Sequence, residues 1–246
     1  VIVAMAIGGM YASYTKAFQD TRNTFLAEQR IVLTNKARRL ESLFQTLYEV
    51  GRTISLLPSV RSAKGANLPR SFAENVDPSL FPREGQETVQ QLYNNVANHG
   101  ASEIFFIRQG FDPRVEKPFF MFDSLILDGG SEKRDEKVAV PEDYPEESEE
   151  EEYRHYVQQL SFFAQHYPKF DFAKLEDIPF IASPPMRTCD NSQYLSESKD
   201  DVSDANGILF SVPVYSHDDA VSGIISVIQR NNVLEAALLD VPFIIV

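Results

Sequence analysis

Cysteine occurs once, at Cys189, and tryptophan not at all among the 246 residues of this chain. A lone thiol excludes an intrachain disulfide and any multi-cysteine metal site. Positive charge is also scarce. Lys and Arg number 23 against 36 Asp and Glu, a net charge of −13. A surface this negative repels phosphate backbones, so nucleic acid is not an expected partner. The sequence has no G-x-S-x-G, no H-E-x-x-H and no phosphate-binding glycine loop. Histidines are limited to His99, His155, His166 and His217. Only His155 and His166 are spaced to share a helix face, and two imidazoles fall short of a zinc site. A calcium loop with Asp204, Asn206 and Gly207 at its third, fifth and sixth positions fails, because Val202 and Pro213 would hold ligand positions one and twelve. No catalytic residue, metal or cofactor is therefore expected.

No apolar run is long enough to cross a membrane, which takes roughly 20 residues. Two short ones stand at the ends, VIVAMAIGGM and VPFIIV. Together they lead us to expect the end of one membrane helix over 1–12 and the start of a second over 241–246. The remnant of a signal-peptide core is the alternative for the first, and a buried strand for the second.

Between them, 43% apolar and 24% charged residues make an ordinary globular mixture. From residue 14 to 57 there is no proline, and Gly51 is the one glycine. Leu33, Ala37, Leu40, Phe44, Leu47 and Ile54 recur in steps of three, four and seven, with Gly51 filling the gap. This near-heptad stripe predicts a helix of about 40 residues, roughly 60 Å long. Such a helix has surface to pack on a sheet and to pair with a copy of itself, and Pro58 ends it. Residues 59–82 read as a loop. A second helix is expected over 84–98, closed by His99-Gly100. SEIFFIR (102–108) and PFFMFDSLIL (118–127) read as strands, with Asp128-Gly129-Gly130 as a turn.

An insertion is expected over 131–155. Eight of the twelve residues from 141 to 152 are acidic, and without them the net charge would be −5. A run like this is expected to be solvated, mobile over 131–152 and dispensable for folding. A helix follows from about 151 to 166. Strands are expected at IPFIAS (178–183) and around MRTCDNSQY (186–194). GILFSVPVYS (207–216) and AVSGIISVIQR (220–230) form a hairpin through His217-Asp218-Asp219. Asn232 and Glu235 give a capping-type start to a last helix.

The hairpin reads face by face. Ile208, Phe210, Val212 and Val214 share an apolar side with Val221, Ile225 and Val227, a surface suited to the long helix. Leu209, Ser211, Pro213 and Tyr215, with Ser222, Ile224, Ser226 and Ile228, make a mixed side suited to a small-molecule pocket. Small core filling by Ser211, Ser222 and Ser226 is the alternative.

TLYEVGRTISLLPSVR (46–61), SEIFFIRQGFDPR (102–114) and DANGILFSVPVYSHDDAVSGIISVIQRNNVLEAAL (204–238), in this order, resemble the Cache family of extracellular PAS-like sensor domains of bacterial receptors. The resemblance implies an α+β fold: a long N-terminal helix packed on an antiparallel PAS-like sheet, forming one sensor domain over 13–240. It implies the periplasmic or extracellular part of an inner-membrane receptor, with a histidine kinase, a diguanylate cyclase or a chemoreceptor as output. A homodimer anchored to the membrane at both termini, with a small-molecule ligand and no activity of its own, is the expected state. Amino-acid-binding members carry an arginine and an aromatic before a tyrosine-x-aspartate, and an aspartate in the last strand. Arg187 and Asp204 match, whereas Cys189, Val202 and Ile228 depart from that pattern. A small carboxylate held by Arg187 is then the expected ligand, with a surface pair between Arg187 and Asp190 as the alternative. The pocket is expected between the mixed hairpin face and residues 186–206. Tyr194, Ser211, Tyr215 and Ser226 would hydrogen bond, Arg187 and Asp204 would stand at the rim, and Phe106 and Phe122 would form the wall.

Overall fold

The computed structural model describes residues 2–63, 67–69, 88, 91, 101–123, 146–188 and 206–239. The chain divides into two units, Val1–Ser42 and Leu43–Val246. Helix α1 (Ile2–Ser55) begins upstream of the expected residue 14 and runs through Gly8 and Gly9 without a break. In the first unit the apolar stripe is open to solvent, with Leu33 64% exposed. In the second unit the same stripe is covered: Leu47, Gly51 and Ile54 are buried. Pro58 then opens a short helix α2 (Pro58–Arg61), a position where its missing N–H costs nothing.

Strand β1 (Leu68–Pro69) pairs with β3 (Glu116–Lys117) as a small ribbon. The main sheet is built from β2 (Ala101–Arg108), β4 (Phe119–Asp123), β7 (Asn206–Tyr215) and β8 (Val221–Arg230), with the short β5 (Ile181–Ala182) and β6 (Met186–Arg187) along one edge. Its order is β4-β2-β8-β7, and both β5 and β6 pair with β7. Every pairing is antiparallel. The first long strand thus lies beside the last, and the terminal hairpin holds the middle of the sheet. Helix α3 (Glu146–His166) precedes the 3-10 turn Leu175–Asp177, and α4 (Asn231–Leu239) follows β8 without a break. The α+β class and the long helix on an antiparallel sheet are as expected.

Both faces of the sheet are covered. On one, Leu47, Tyr48 and Ile54 of α1 pack with Ile104, Phe210, Val212, Ile225 and Val227. On the other, Tyr156, Leu160 and Phe163 of α3 pack with Ile107, Leu209, Ile224 and Ile228. Residues 223–230 of β8 are all buried, which is why that strand reads as a nearly continuous apolar run. The apolar hairpin face does meet the long helix. One assignment changes: Val221 packs on the α3 side. A register shift between Val214 and Tyr215 leaves Ser222 as an extra residue in β8, and a bulge of one residue turns the preceding side chain over.

Glycine holds the strands close at Gly223. A β-carbon there would meet the Ile107 carbonyl oxygen at 2.4 Å. At the hairpin turn Asp219 adopts a φ of 59°, the left-handed conformation that Asp tolerates. Within the acidic insertion, residues 146–155 belong to α3, which starts five residues before the expected residue 151. Glu152 and Tyr153 are buried against the sheet, which anchors the end of the acidic run. Helix α4 starts at Asn231, so Asn232 is not its cap; the Asn232 Oδ1 is buried with no hydrogen-bond partner among the described residues. The helix expected over 84–98, apart from helical Thr88 and Gln91, lies outside the described residues, as do residues 124–145 and 241–246. Among the described residues no helix is long and apolar enough to cross a membrane.

Candidate functional site

The mixed face of the hairpin is where a pocket was expected, and α3 lies on it. Ser211 and Ser226 are register partners at the centre of the β7–β8 ladder, both fully buried. The Ser211 hydroxyl donates to Gln159 Oε1 from α3. Its oxygen lies 2.6 Å from Ser226 Oγ, so the Ser226 hydroxyl must be the donor of that pair. The Gln159 amide nitrogen in turn donates to the Leu209 carbonyl at 3.4 Å. These hydroxyls are therefore satisfied by α3 rather than held open for a ligand. Beside them the Tyr215 hydroxyl donates to the Tyr167 carbonyl at 3.1 Å. Burial, then the neighbouring Tyr167, pushes its phenol pKa up.

Of the remaining expected residues, Phe106 and Arg187 do not join this group. Phe106 is buried on the opposite face, in the cluster with α1. Alternation assigns faces within one strand, but the phase of β2 against β7–β8 is set by long-range register. Phe122 pairs with Ile104 at the β4 edge. Arg187 is exposed at the end of β6, and its backbone N–H donates to Glu151 Oε2 at 3.3 Å. Its neighbour Met186 is buried in the α3-side cluster. Tyr194 and Asp204 lie outside the described residues.

A buried charged cluster occupies the end of the sheet where β2 begins and β8 finishes. Arg230 is 1% exposed and Glu103 2%. Arg230 Nη2 donates to Glu103 Oε1 at 2.5 Å, Nε donates to Ser102 Oγ at 3.1 Å, and Nη1 donates to Thr188 Oγ1. The Ser102 hydroxyl in turn donates to the Ile228 carbonyl at 3.2 Å. On α3 the Tyr156 hydroxyl donates to Glu152 Oε1 at 2.7 Å, one turn back along the helix. Burial drives the Tyr156 pKa well up, and the Glu152 and Glu103 carboxylates add to the rise. Two strands, the end of β6 and α3 thus bring one guanidinium, two carboxylates and three hydroxyls together in the interior. Sequence reasoning missed this cluster. Its signal was a charged residue at the rim of each of two apolar strands, SEIFFIR and SGIISVIQR, positions ordinarily read as solvated strand ends.

A second polar group ties the hairpin turn to α2. Arg61 Nε donates to the Tyr215 carbonyl and Nη2 to the Ser216 carbonyl, both at 2.9 Å. Ser62 Oγ lies 2.8 Å from His217 Nε2. The Ser62 hydroxyl donates to the Pro58 carbonyl at 2.6 Å. The imidazole must then be the donor to Ser62, so this pair is not a nucleophile with its general base.

Among the described residues no group of three His, Cys, Asp or Glu side chains is placed to hold a metal ion. No family model, no curated protein and no solved structure matches the chain.

Proposed function

We propose that this chain is the extracytoplasmic sensing domain of a transmembrane signalling receptor, built on a Cache-like fold and without catalysis of its own. The observation that carries this reading is the attachment of both outer helices to one sheet. The last turns of α1 pack on one face, and β8 at the sheet centre continues directly into α4. A rearrangement at the sheet then reaches both helices, and ligand occupancy biases a two-state equilibrium. The order of elements and the closing hairpin support the family resemblance. Membrane attachment through both termini, a periplasmic location and a kinase, cyclase or chemoreceptor output accord with that resemblance, and homodimerisation through α1 rests on its exposed apolar stripe.

The ligand in this reading is a small carboxylate. Arg187 is exposed, and a guanidinium offers a carboxylate two parallel donors. A melting screen of the purified chain with acetate, pyruvate, lactate and dicarboxylates tests it. Saturation near 100 Kd stabilises by about 2.7 kcal/mol, a rise of several degrees. Arg187→Ala should abolish the rise and leave the unliganded melting temperature in place.

A second reading has a specific observation behind it. On the face expected to bind, Gln159 already accepts from Ser211, and Ser211 accepts from Ser226. A Cache-fold interaction or dimerisation module with a self-filled interior has that property. No melting shift with any carboxylate, together with reversible self-association of the chain, would decide for it.

A further inference from the structure

We infer that Arg230 is a positioning residue that fixes α4 and couples it to α3 through Glu103 and Tyr156. The inference is independent of whether the chain senses a ligand. It starts from what holds α4 among the described residues. This helix has nine residues, of which Val233 and Ala236 are buried. A helix so short is marginal by itself, so its place is dictated by what it is joined to. It is joined to Arg230, the last residue of β8, with Asn231 already helical.

The Arg230 side chain is held on every nitrogen, and by separate segments: Ser102 and Glu103 of β2, and Thr188 just past β6. A guanidinium is a rigid planar fork, so three such bonds set its orientation as well as its place. The Glu103–Arg230 pair is interior. Such pairs add little net stability, yet removing one partner strands a buried charge. Their best-attested use is to specify a register, because a charge in a low-dielectric interior cannot slide as a methyl group can. The α3 side of the run comes from Tyr156, which is fully buried, bonded to Glu152 and packed on Phe105 of β2, two residues from Glu103, with ring centroids 6.0 Å apart. A change in α3 therefore reaches β2 through this ring contact, and the root of α4 through the Glu103–Arg230 pair.

Hydrogen exchange on the whole chain tests this. The readout is the exchange rate of the Val233–Leu239 amides relative to amides at the centre of β7 and β8. Tyr156→Phe should raise that ratio at least threefold. Glu103→Gln and Arg230→Lys should raise it tenfold or more, the lysine because it keeps the charge and loses the fork. The double variant Glu103→Met/Arg230→Met removes both charges together and keeps the core filled, so it carries the test if a single variant fails to fold. In that background α4 should be more exposed to exchange at a near-native melting temperature, and adding Tyr156→Phe should have no further effect on α4. Two outcomes would overturn the inference. One is equal acceleration of α4 and the sheet, which is general destabilisation. The other is an effect of Tyr156→Phe on α4 that persists in the double-methionine background.

Discussion

Gly51 of α1 lies against Val212 of β7 so closely that a β-carbon on the glycine would sit 3.3 Å from Val212 Cγ2. The long helix reaches the sheet here because one of its stripe positions has no side chain. Alanine at this site gains about 1 kcal/mol of helix propensity and meets a contact that requires a small shift. The two effects oppose each other. Gly51→Ala should change stability by less than about 1 kcal/mol. Gly51→Leu should cost about 1–3 kcal/mol or more, because it overfills the same space. Urea melts of the two variants check this, and an equally mild leucine variant would place the helix further from the sheet.

The Ser211–Ser226–Gln159 network makes a non-additive prediction. Gln159→Leu leaves the buried Ser211 hydroxyl without its acceptor, a loss of about 1–3 kcal/mol. Adding Ser211→Ala and Ser226→Ala removes the stranded hydroxyl along with the serine that donates to it. The triple variant should therefore be more stable than Gln159→Leu alone. Additive losses in a double-mutant cycle would show that the three side chains act independently.

Alkaline pH should weaken the fold. An unfolded tyrosine releases its proton near pH 10.0, whereas burial and the Glu152 and Glu103 carboxylates hold the Tyr156 proton to higher pH. Above that point the native state binds more protons than the unfolded state, so rising pH favours unfolding. The contribution is complete below pH 10 and declines above it, by up to about 1.4 kcal/mol per pH unit. Tyr215 is shifted in the same direction. Melting temperatures between pH 9 and 11.5 should fall, and Tyr156→Phe should flatten the slope. An unchanged slope in that variant would assign the alkaline loss to other groups.

The exposed part of the α1 stripe carries the homodimer proposal. Leu33 is 64% exposed and Leu40 is half-buried, on the same heptad positions as the buried Leu47 and Ile54. In a Cys189→Ser background, Leu33→Cys or Leu40→Cys should form an interchain disulfide in the proposed receptor. Failure of both positions to crosslink would remove parallel pairing through this face.

Local periodicity carried much of this architecture. Alternation along GILFSVPVYS and AVSGIISVIQR divides the hairpin into the face that meets α1 and the face that meets α3, because both strands repeat every second residue through a buried layer. The three–four spacing of Leu40, Phe44, Leu47 and Ile54 marks the helix face that packs. Three features were illegible for physical reasons. Phe106 belongs to the α1 side because of a pairing between segments more than a hundred residues apart, which leaves no local trace. The first turns of α3 look like a solvated acidic run, since Glu152 becomes apolar-compatible only once Tyr156 donates to it. Glu103 and Arg230 look like strand ends facing water, and each is buried only because the other is there.

The steric exclusion at Gly223 has a practical consequence for tracing kinship. A β-carbon there would collide with the Ile107 backbone oxygen at 2.4 Å, and one at Gly207 would lie 2.9 Å from the Gln229 oxygen. Backbone oxygens cannot rotate away as a side chain can. The two glycines mark the hairpin near its turn and near its open end, opposite Val214 and Arg230. A distant chain that keeps this ladder can replace almost every aliphatic residue in it, yet it must leave these two places bare. A search template built from two obligatory gaps, with an arginine facing one of them, would then recognise descendants of this sheet after their ordinary sequence similarity has decayed.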